Sequence, residues 1–451
     1  MAIDDVTTSL PTIADLGRAY RTGAFTPVDV LEGCLARIAA WEAKLNAVIT
    51  LSEPLAREQA ERASREIAQG IDRGPLHGIP VGIKDIIDVA GLPTTYASNA
   101  VSPRTPAQSA ALVNHLETAG AVFVAKTNVL EFASGALHPA FGQTNNPWDI
   151  SRISGGSSSG SGAGVAAGFF AAAVGTDTGG SIRGPASYCG IAGLKPTFDL
   201  VDTTGVYPLS PSLDHAGPMA RTPLCALAML DGMAGRSSDL TPHPLGGIRF
   251  TVIDAFRRDP ALSVGIAAAF DAGIAALEAA GGERLDVDLP ALGPCDRALI
   301  DIILPEATAV HEAVLAINPE GYGPQTRLQL EMGFETLAID YVKANRFRAD
   351  LRRDFDAAFD QVDLLVCPTV AWVAPSADID IVDDEGTVEM RFMGPFNLTG
   401  HPALSIPCGL AEDGLPAGLQ VVGPCGGDSR LLRIAESWTR HMPLPDIKLK
   451  Q

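Results

Sequence analysis

The apolar positions of the first 70 residues repeat with a helical period. Leu31, Cys34, Leu35, Ile38 and Trp41 fall on one face of a helix that Thr26 caps and Pro27 opens. A second, more charged helix is predicted from Pro54 to Gln69. The pattern changes at Gly74. Ile79, Val81 and Ile83 then alternate with Pro80, Gly82 and Lys84, which predicts a strand with one apolar face and one small or polar face. A helix over Ser109–Thr118 leads into an apolar strand at Ala121–Ala125, making a strand–helix–strand unit. Val165–Val174 reads as a small-residue helix or buried segment. Helices are predicted at Val264–Ala280 and Glu335–Phe359, and short strands at Leu364–Cys367, Ala403–Ile406 and Gly418–Gly423. Pro368 and Pro407 stop the first two of those strands. No repeat and no long linker interrupts the series, so the pattern predicts one large α/β domain.

Composition narrows the function classes. The chain has 451 residues and a net charge of −20, with 53 acidic against 33 basic side chains. That balance excludes nucleic-acid binding through a basic face. No apolar run reaches the roughly 18 residues of a membrane span. The opening stretch MAIDDVTTSLPTIADL has acids where a signal peptide needs lysines, so a cytoplasmic protein is expected. Seven cysteines, scattered without a CxxC pair, fit reduced buried thiols and give neither a disulfide framework nor a metal site.

Twelve of the 46 glycines fall between Gly155 and Gly193, which draws attention to the Gly/Ser block Ser154–Gly164. A flexible linker is a poor reading, because the block runs straight into the apolar segment Val165–Val174. A P-loop lacks its lysine, and a dinucleotide fingerprint lacks a preceding strand, since Ser151–Ser154 is short and polar. Gly156–Gly160 matches the GxSxG nucleophile elbow centred on Ser158, yet that motif also needs a buried strand before it. Its base would come from His215, His243, His311, His401 or His441, none in a distinctive setting. A better constellation joins three segments. Gly74–Asp85 places Lys84 on the small-residue face of a strand. Gly155–Ser158 supplies hydroxyls on a tightly bent backbone, and Gly175–Arg183 puts Ser181 behind two glycines, where successive amides suit an oxyanion.

These residues resemble the amidase signature family. Ser157 and Ser181 stand 24 residues apart, as that family's paired serines do. Phe141–Trp148, Cys189–Thr197, Ser212–Arg221 and Phe396–Pro402 look like the same family, and the likeness is strong over 74–222 and 363–423. The resemblance implies a single domain, 1–451, with a central mixed β-sheet covered by helices on both faces. It implies a catalytic core at 74–222 and a variable, substrate-selecting part at 230–345. It assigns Ser181 as nucleophile, Ser157 as bridging serine held by a cis peptide from Gly156, and Lys84 as base. The amides of Thr178, Gly179, Gly180 and Ser181 would form the oxyanion hole, and Ala133 and Ser134 would line the acyl pocket.

Such a lysine must be neutral to accept a proton, which burial without a facing carboxylate would achieve; Asp85 points to the opposite side of the strand. Asp177 and Arg183 are expected to support the loop, and Ser158 to hold it through hydrogen bonds. Gly184 leaves room for a bulky or aryl substrate. The implied reaction is hydrolysis of a small or aryl carboxamide through an acyl-serine, without metal or organic cofactor, extending to carbamates, anilides and esters. Two alternatives are a glutaminase-type subunit of an amidotransferase and, less favoured, a non-catalytic binding protein. The implied partner is a small-molecule amide, and apolar faces on the N-terminal helices would support a homodimer.

Overall fold

The computed structural model describes residues 10–377, 384–445 and 447; most of the opening stretch, residues 1–9, lies outside them. Eleven strands form one mixed sheet. In chain order they are β1 (Val48–Leu51), β2 (Pro80–Lys84), β3 (Val122–Thr127), β4 (Ala172–Asp177), β5 (Ala192–Lys195), β6 (His215–Ala220), β7 (Arg249–Val252), β8 (Glu283–Arg284), β9 (Leu364–Pro368), β10 (Ala403–Leu410) and β11 (Pro416–Val422). Across the sheet the order is β1-β3-β2-β4-β6-β5-β10-β11-β9-β7-β8. Strands β3, β2 and β4 run parallel, as do β9, β7 and β8, while the strands between them pair antiparallel.

Alternation along the strands divides the core between the two faces of the sheet. Phe123, Leu404, Leu364 and Val366 join one cluster with side chains of the helices Pro223–Ala234, Val264–Ala279 and Asp428–Thr439. Their neighbours in the strands turn the other way. Val122, Val124 and Ala173 pack with the helices Pro27–Leu45, Glu53–Ala68 and Ser159–Ala166. Leu365, Cys367 and Ala403 pack with Cys295–Ile317 and Ala338–Phe359. The protein is thus a single α/β domain with helices on both faces of its sheet, the arrangement that buries a two-sided strand.

Local differences from the expected elements have physical causes. Strand β2 is buried along its whole length, its small or polar face of Pro80, Gly82 and Lys84 included. A Cβ at Gly82 would come within 2.7 Å of the Phe170 ring, so the glycine admits that ring against the strand. Val165–Val174 divides into a helix end, a turn and the start of β4. Asp149–Ile153 is a strand after all, but it pairs only with Asn145–Asn146 in a separate ribbon. Strand β10 continues through Pro407 to Leu410, because an irregularity between Pro407 and Gly409 absorbs the proline. The N-terminal helices spend their apolar faces within the chain: Leu31, Cys34 and Ile38 are buried. Exposed apolar side chains gather instead at Leu328, Met332, Phe334, Leu337, Ile339 and Val342. Among the described residues no helix is long and apolar enough to cross a membrane.

Candidate active site

Lys84 ends β2 with its ammonium fully buried. Its Nζ lies 2.8 Å from Ser157 Oγ, 2.9 Å from Ser158 Oγ and 2.7 Å from Thr176 Oγ1. Burial lowers its pKa from 10.5 to about 7, and the more distant charges of Asp177 and Asp214 offset only part of that fall. Asp85 does point away: it meets Lys126 Nζ at 2.7 Å and accepts from the Thr95 amide at 2.9 Å. The base candidate is therefore surrounded by hydroxyls and, among the described residues, faces no carboxylate at contact distance.

The two adjacent serines differ in what their hydroxyls can do. Ser158 is fully buried and donates to Thr176 O at 3.1 Å, while accepting from the Thr176 amide at 3.2 Å. Its one hydrogen goes to a backbone carbonyl, and Ser158 is not among the described residues that line the cleft. Ser157 follows a cis peptide from Gly156 and lines a cleft. Ser181 lines the same cleft and is partly exposed. It sits between Gly180, at φ 137°, and the helix Arg183–Cys189. Among the described residues, the amides of Thr178, Gly179, Gly180 and Ser181 have no protein acceptor. All four residues line the cleft. Such a run of uncommitted amides can receive a developing oxyanion.

Two acids, the buried Asp177 and the half-buried Asp214, brace this loop. Burial alone would raise the Asp177 pKa, but the Arg183 guanidinium, 2.8 Å away, holds it well below the usual carboxylate range. Asp177 also accepts from the Ile182 amide at 3.2 Å. Arg183 continues to Gln420 Oε1 at 2.7 Å and Asn397 Oδ1 at 2.6 Å, which ties the loop to the C-terminal half. Asp214 accepts from Thr178 Oγ1 at 2.6 Å and from the Leu209 amide at 2.9 Å. Burial nevertheless pushes its pKa up to about 6.

Ala133 and Ser134 both line the cleft, and Ala133 has φ 63°. Gly184 lines it too, with open space beside it: a Cβ there would approach nothing closer than Met393 Cε at 3.7 Å. None of the histidines lines the cleft among the described residues. Sequence reasoning missed Asp214, although it lies in a quoted motif, and the wall residues Ile303, Glu389, Met390 and Met393. Only Ile303 of these comes from the part expected to select substrate. The methionines read as ordinary core residues, and only the fold brings Met393 against Gly180.

One grouping away from the cleft, Asp356, His401 and Cys425, brings three types of metal donor within 4.8 Å. There His401 Nε2 meets Asp356 Oδ1 at 3.0 Å, and Arg352 lies 3.7 Å from Cys425 Sγ. Among the described residues the buried His401 Nδ1 has no partner to orient a metal-bound ring. These neighbours suit a buried histidine hydrogen-bonded to Asp356, with burial holding its pKa down to about 4.

Known proteins show the same architecture. The Amidase family model matches residues 29–432. The chain is 36% identical to a glutamyl-tRNA(Gln) amidotransferase subunit of Roseiflexus sp. (strain RS-1), over 97% of this chain and 99% of that relative. A solved amidase superposes with a TM-score of 0.87 at 35% identity, covering 95% of this chain and 99% of the other. Native peptide amidase from Stenotrophomonas maltophilia gives 0.83 at 30% identity, covering 99% and 100%. A fold, a cleft and a family model that agree over nearly the whole length place this chain in the amidase family, as an amide-hydrolysing enzyme.

Proposed function

We propose that the chain hydrolyses small or aryl carboxamides through an acyl-Ser181 intermediate. The observation that carries this reading is Lys84, buried against three hydroxyls with its pKa lowered to about 7, so that a large share of it is neutral near neutral pH. A neutral amine has two hydrogens and one lone pair. Ser158 takes one hydrogen, since its own is spent on Thr176 O, and Thr176 Oγ1 takes the other. The lone pair then faces the Ser157 hydroxyl.

Ser181 Oγ attacks the carbonyl carbon while its proton moves to Ser157, whose own proton moves to Lys84. The amides of Thr178, Gly179, Gly180 and Ser181 receive the oxyanion. Collapse breaks the C–N bond, and the amine leaves with the proton returned through Ser157. Water repeats the sequence on the acyl ester and frees the acid. Carbamates, anilides and esters present the same carbonyl to the same donors. In this reading 74–222 carries the chemistry, while Ile303 and residues 389–393 shape selection. The enzyme works in the cytoplasm on a small-molecule substrate, without a cofactor; a homodimer is compatible with this chemistry.

A glutaminase role in an amidotransferase complex is the second reading, favoured by the name of the Roseiflexus relative. The cleft lining speaks against it. Free glutamine brings an ammonium, which Glu389 can take, but also a carboxylate, for which no described lining residue supplies a cation. A non-catalytic binding role is disfavoured by the neutral lysine and the paired serines. Purified chain, with no second protein, is expected to release ammonia from benzamide. Hydrolysis of glutamine seen only after adding a second protein of such a complex would move the assignment to the amidotransferase role.

A further inference from the structure

The cleft is apolar except at its floor and at one point on its wall. Leu130, Ile153, Leu209, Ile303, Met390 and Met393 supply carbon surface, and Glu389 supplies the charge. Glu389 stands on the helix Asp384–Arg391, far in sequence from the serines. Its position is set from the helix that follows Ser181. Tyr188, on Arg183–Cys189, donates its hydroxyl to Glu389 Oε1 at 2.8 Å. Tyr188 is itself fully buried, with its ring against the backbone of Gly155, where a Cβ would fall 2.7 Å from Tyr188 Cδ2. Burial first, and the Glu389 charge second, push the tyrosine pKa far up, so it remains a donor to the carboxylate. A carboxylate can accept several hydrogen bonds at once, and the tyrosine hydroxyl is one of the donors that hold this one in place.

We propose that Glu389 makes this cleft select amides carrying a positive charge, such as an ammonium group on the acyl or amine side, and reject anionic ones. The proposal rests on reading the cleft as the amide-hydrolysing site. An anion placed here would meet a carboxylate across apolar walls, with no cationic side chain among the described lining residues. A cation gains a charge-assisted hydrogen bond to an acceptor already held in place. The overall charge of −20 draws the same substrates from solution.

Three amides of one shape provide the test: 4-(aminomethyl)benzamide, 4-ethylbenzamide and 4-carbamoylbenzoate. Their binding to Ser181→Ala protein is measured by calorimetry, which needs no turnover. The cationic amide is expected to bind at least about tenfold more tightly than the neutral one, and the anionic one most weakly. Adding Glu389→Gln to that background should collapse the preference. In protein with Glu389 intact, raising salt should weaken it too, so the idea does not depend on that variant folding. Equal affinity for the three amides, preference for the carboxylate, or a preference untouched by Glu389→Gln overturns the proposal. Turnover of 4-ethylbenzamide by the wild type reports separately on the acyl-serine reading. Turnover with no charge discrimination contradicts the role of Glu389 alone; charge-selective binding without turnover contradicts the acyl-serine alone.

Discussion

Replacing Lys84 by Met removes the amine while keeping most of its buried volume, and the structure fixes what should follow. The fall of the Lys84 pKa from 10.5 to about 7 corresponds to about 5 kcal/mol. Its sign is set by the direction of the shift. The folded pKa lies below the unfolded one, so between pH 7 and 10.5 the unfolded chain binds more protons at this site. Stability from Lys84 therefore rises as pH rises through that window, and at pH 7 the buried amine costs nearly its full amount. Lys84→Met escapes that cost but loses hydrogen bonds to three hydroxyls, each worth about 1 kcal/mol. The variant should lie within a few kcal/mol of wild type at pH 7 and lose ground steadily towards pH 10. Thermal melts of both proteins across this range show it as a variant Tm that falls relative to that of the wild type as pH rises. Activity should behave quite differently, because the base must be neutral to work. Wild-type kcat/KM for benzamide should rise with pH through a midpoint near 7. Lys84→Met should lose about 10²–10⁴ in kcat/KM above pH 7, and the gap should narrow below it as the wild-type amine protonates. A folded Lys84→Met enzyme with wild-type activity, or a wild-type profile still climbing near pH 10, would refute the reasoning.

Two further outcomes follow from the geometry. Asp177→Asn leaves the fully buried Arg183 guanidinium without its counter-charge, which should cost about 3–5 kcal/mol and lower Tm in thermal melts. Gly184→Leu fits its Cβ but fills the space beyond it, so kcat/KM should fall at least about tenfold more for benzamide than for acetamide; equal losses for both amides would remove Gly184 from the substrate wall.

Much of the architecture is legible in the residues alone, for identifiable reasons. The helix Pro27–Leu45 announces itself through a capping box and a clear apolar face, and β2 through strict alternation. The site is legible where local backbone constrains it. Glycines surround Ser157 and Ser181, and the motif around Lys84 sits on a strand whose alternation fixes which side each residue takes. What escapes depends on long-range packing. Met393 touches the Gly180 region from more than 200 positions away, and nothing local marks a methionine as a wall of a cleft. Asp214 looks like an ordinary turn residue until Thr178 is seen donating to it. The strand at Asp149–Ile153 is polar because its partner is a short ribbon rather than the main sheet. Pro407 suggests an end to β10, but the irregularity beside it carries the strand onward.

The large share of glycine within Gly155–Gly193 also takes on a structural meaning. Gly180 adopts a φ of 137° next to Ser181 on the cleft wall, where a Cβ would fall 2.5 Å from Met393 Cε, and Gly155 a φ of 79°, where a Cβ would fall 2.7 Å from Tyr188 Cδ2.

The central claim is that Ser181 carries the oxygen that attacks. Its most direct test is covalent labelling with an aryl fluorophosphonate, read by intact mass and peptide mapping. The account predicts one adduct on Ser181 in the wild type, none in Ser181→Ala, and the same Ser181 adduct in Ser158→Ala. An adduct mapped to Ser158, or undiminished labelling of Ser181→Ala, would contradict it.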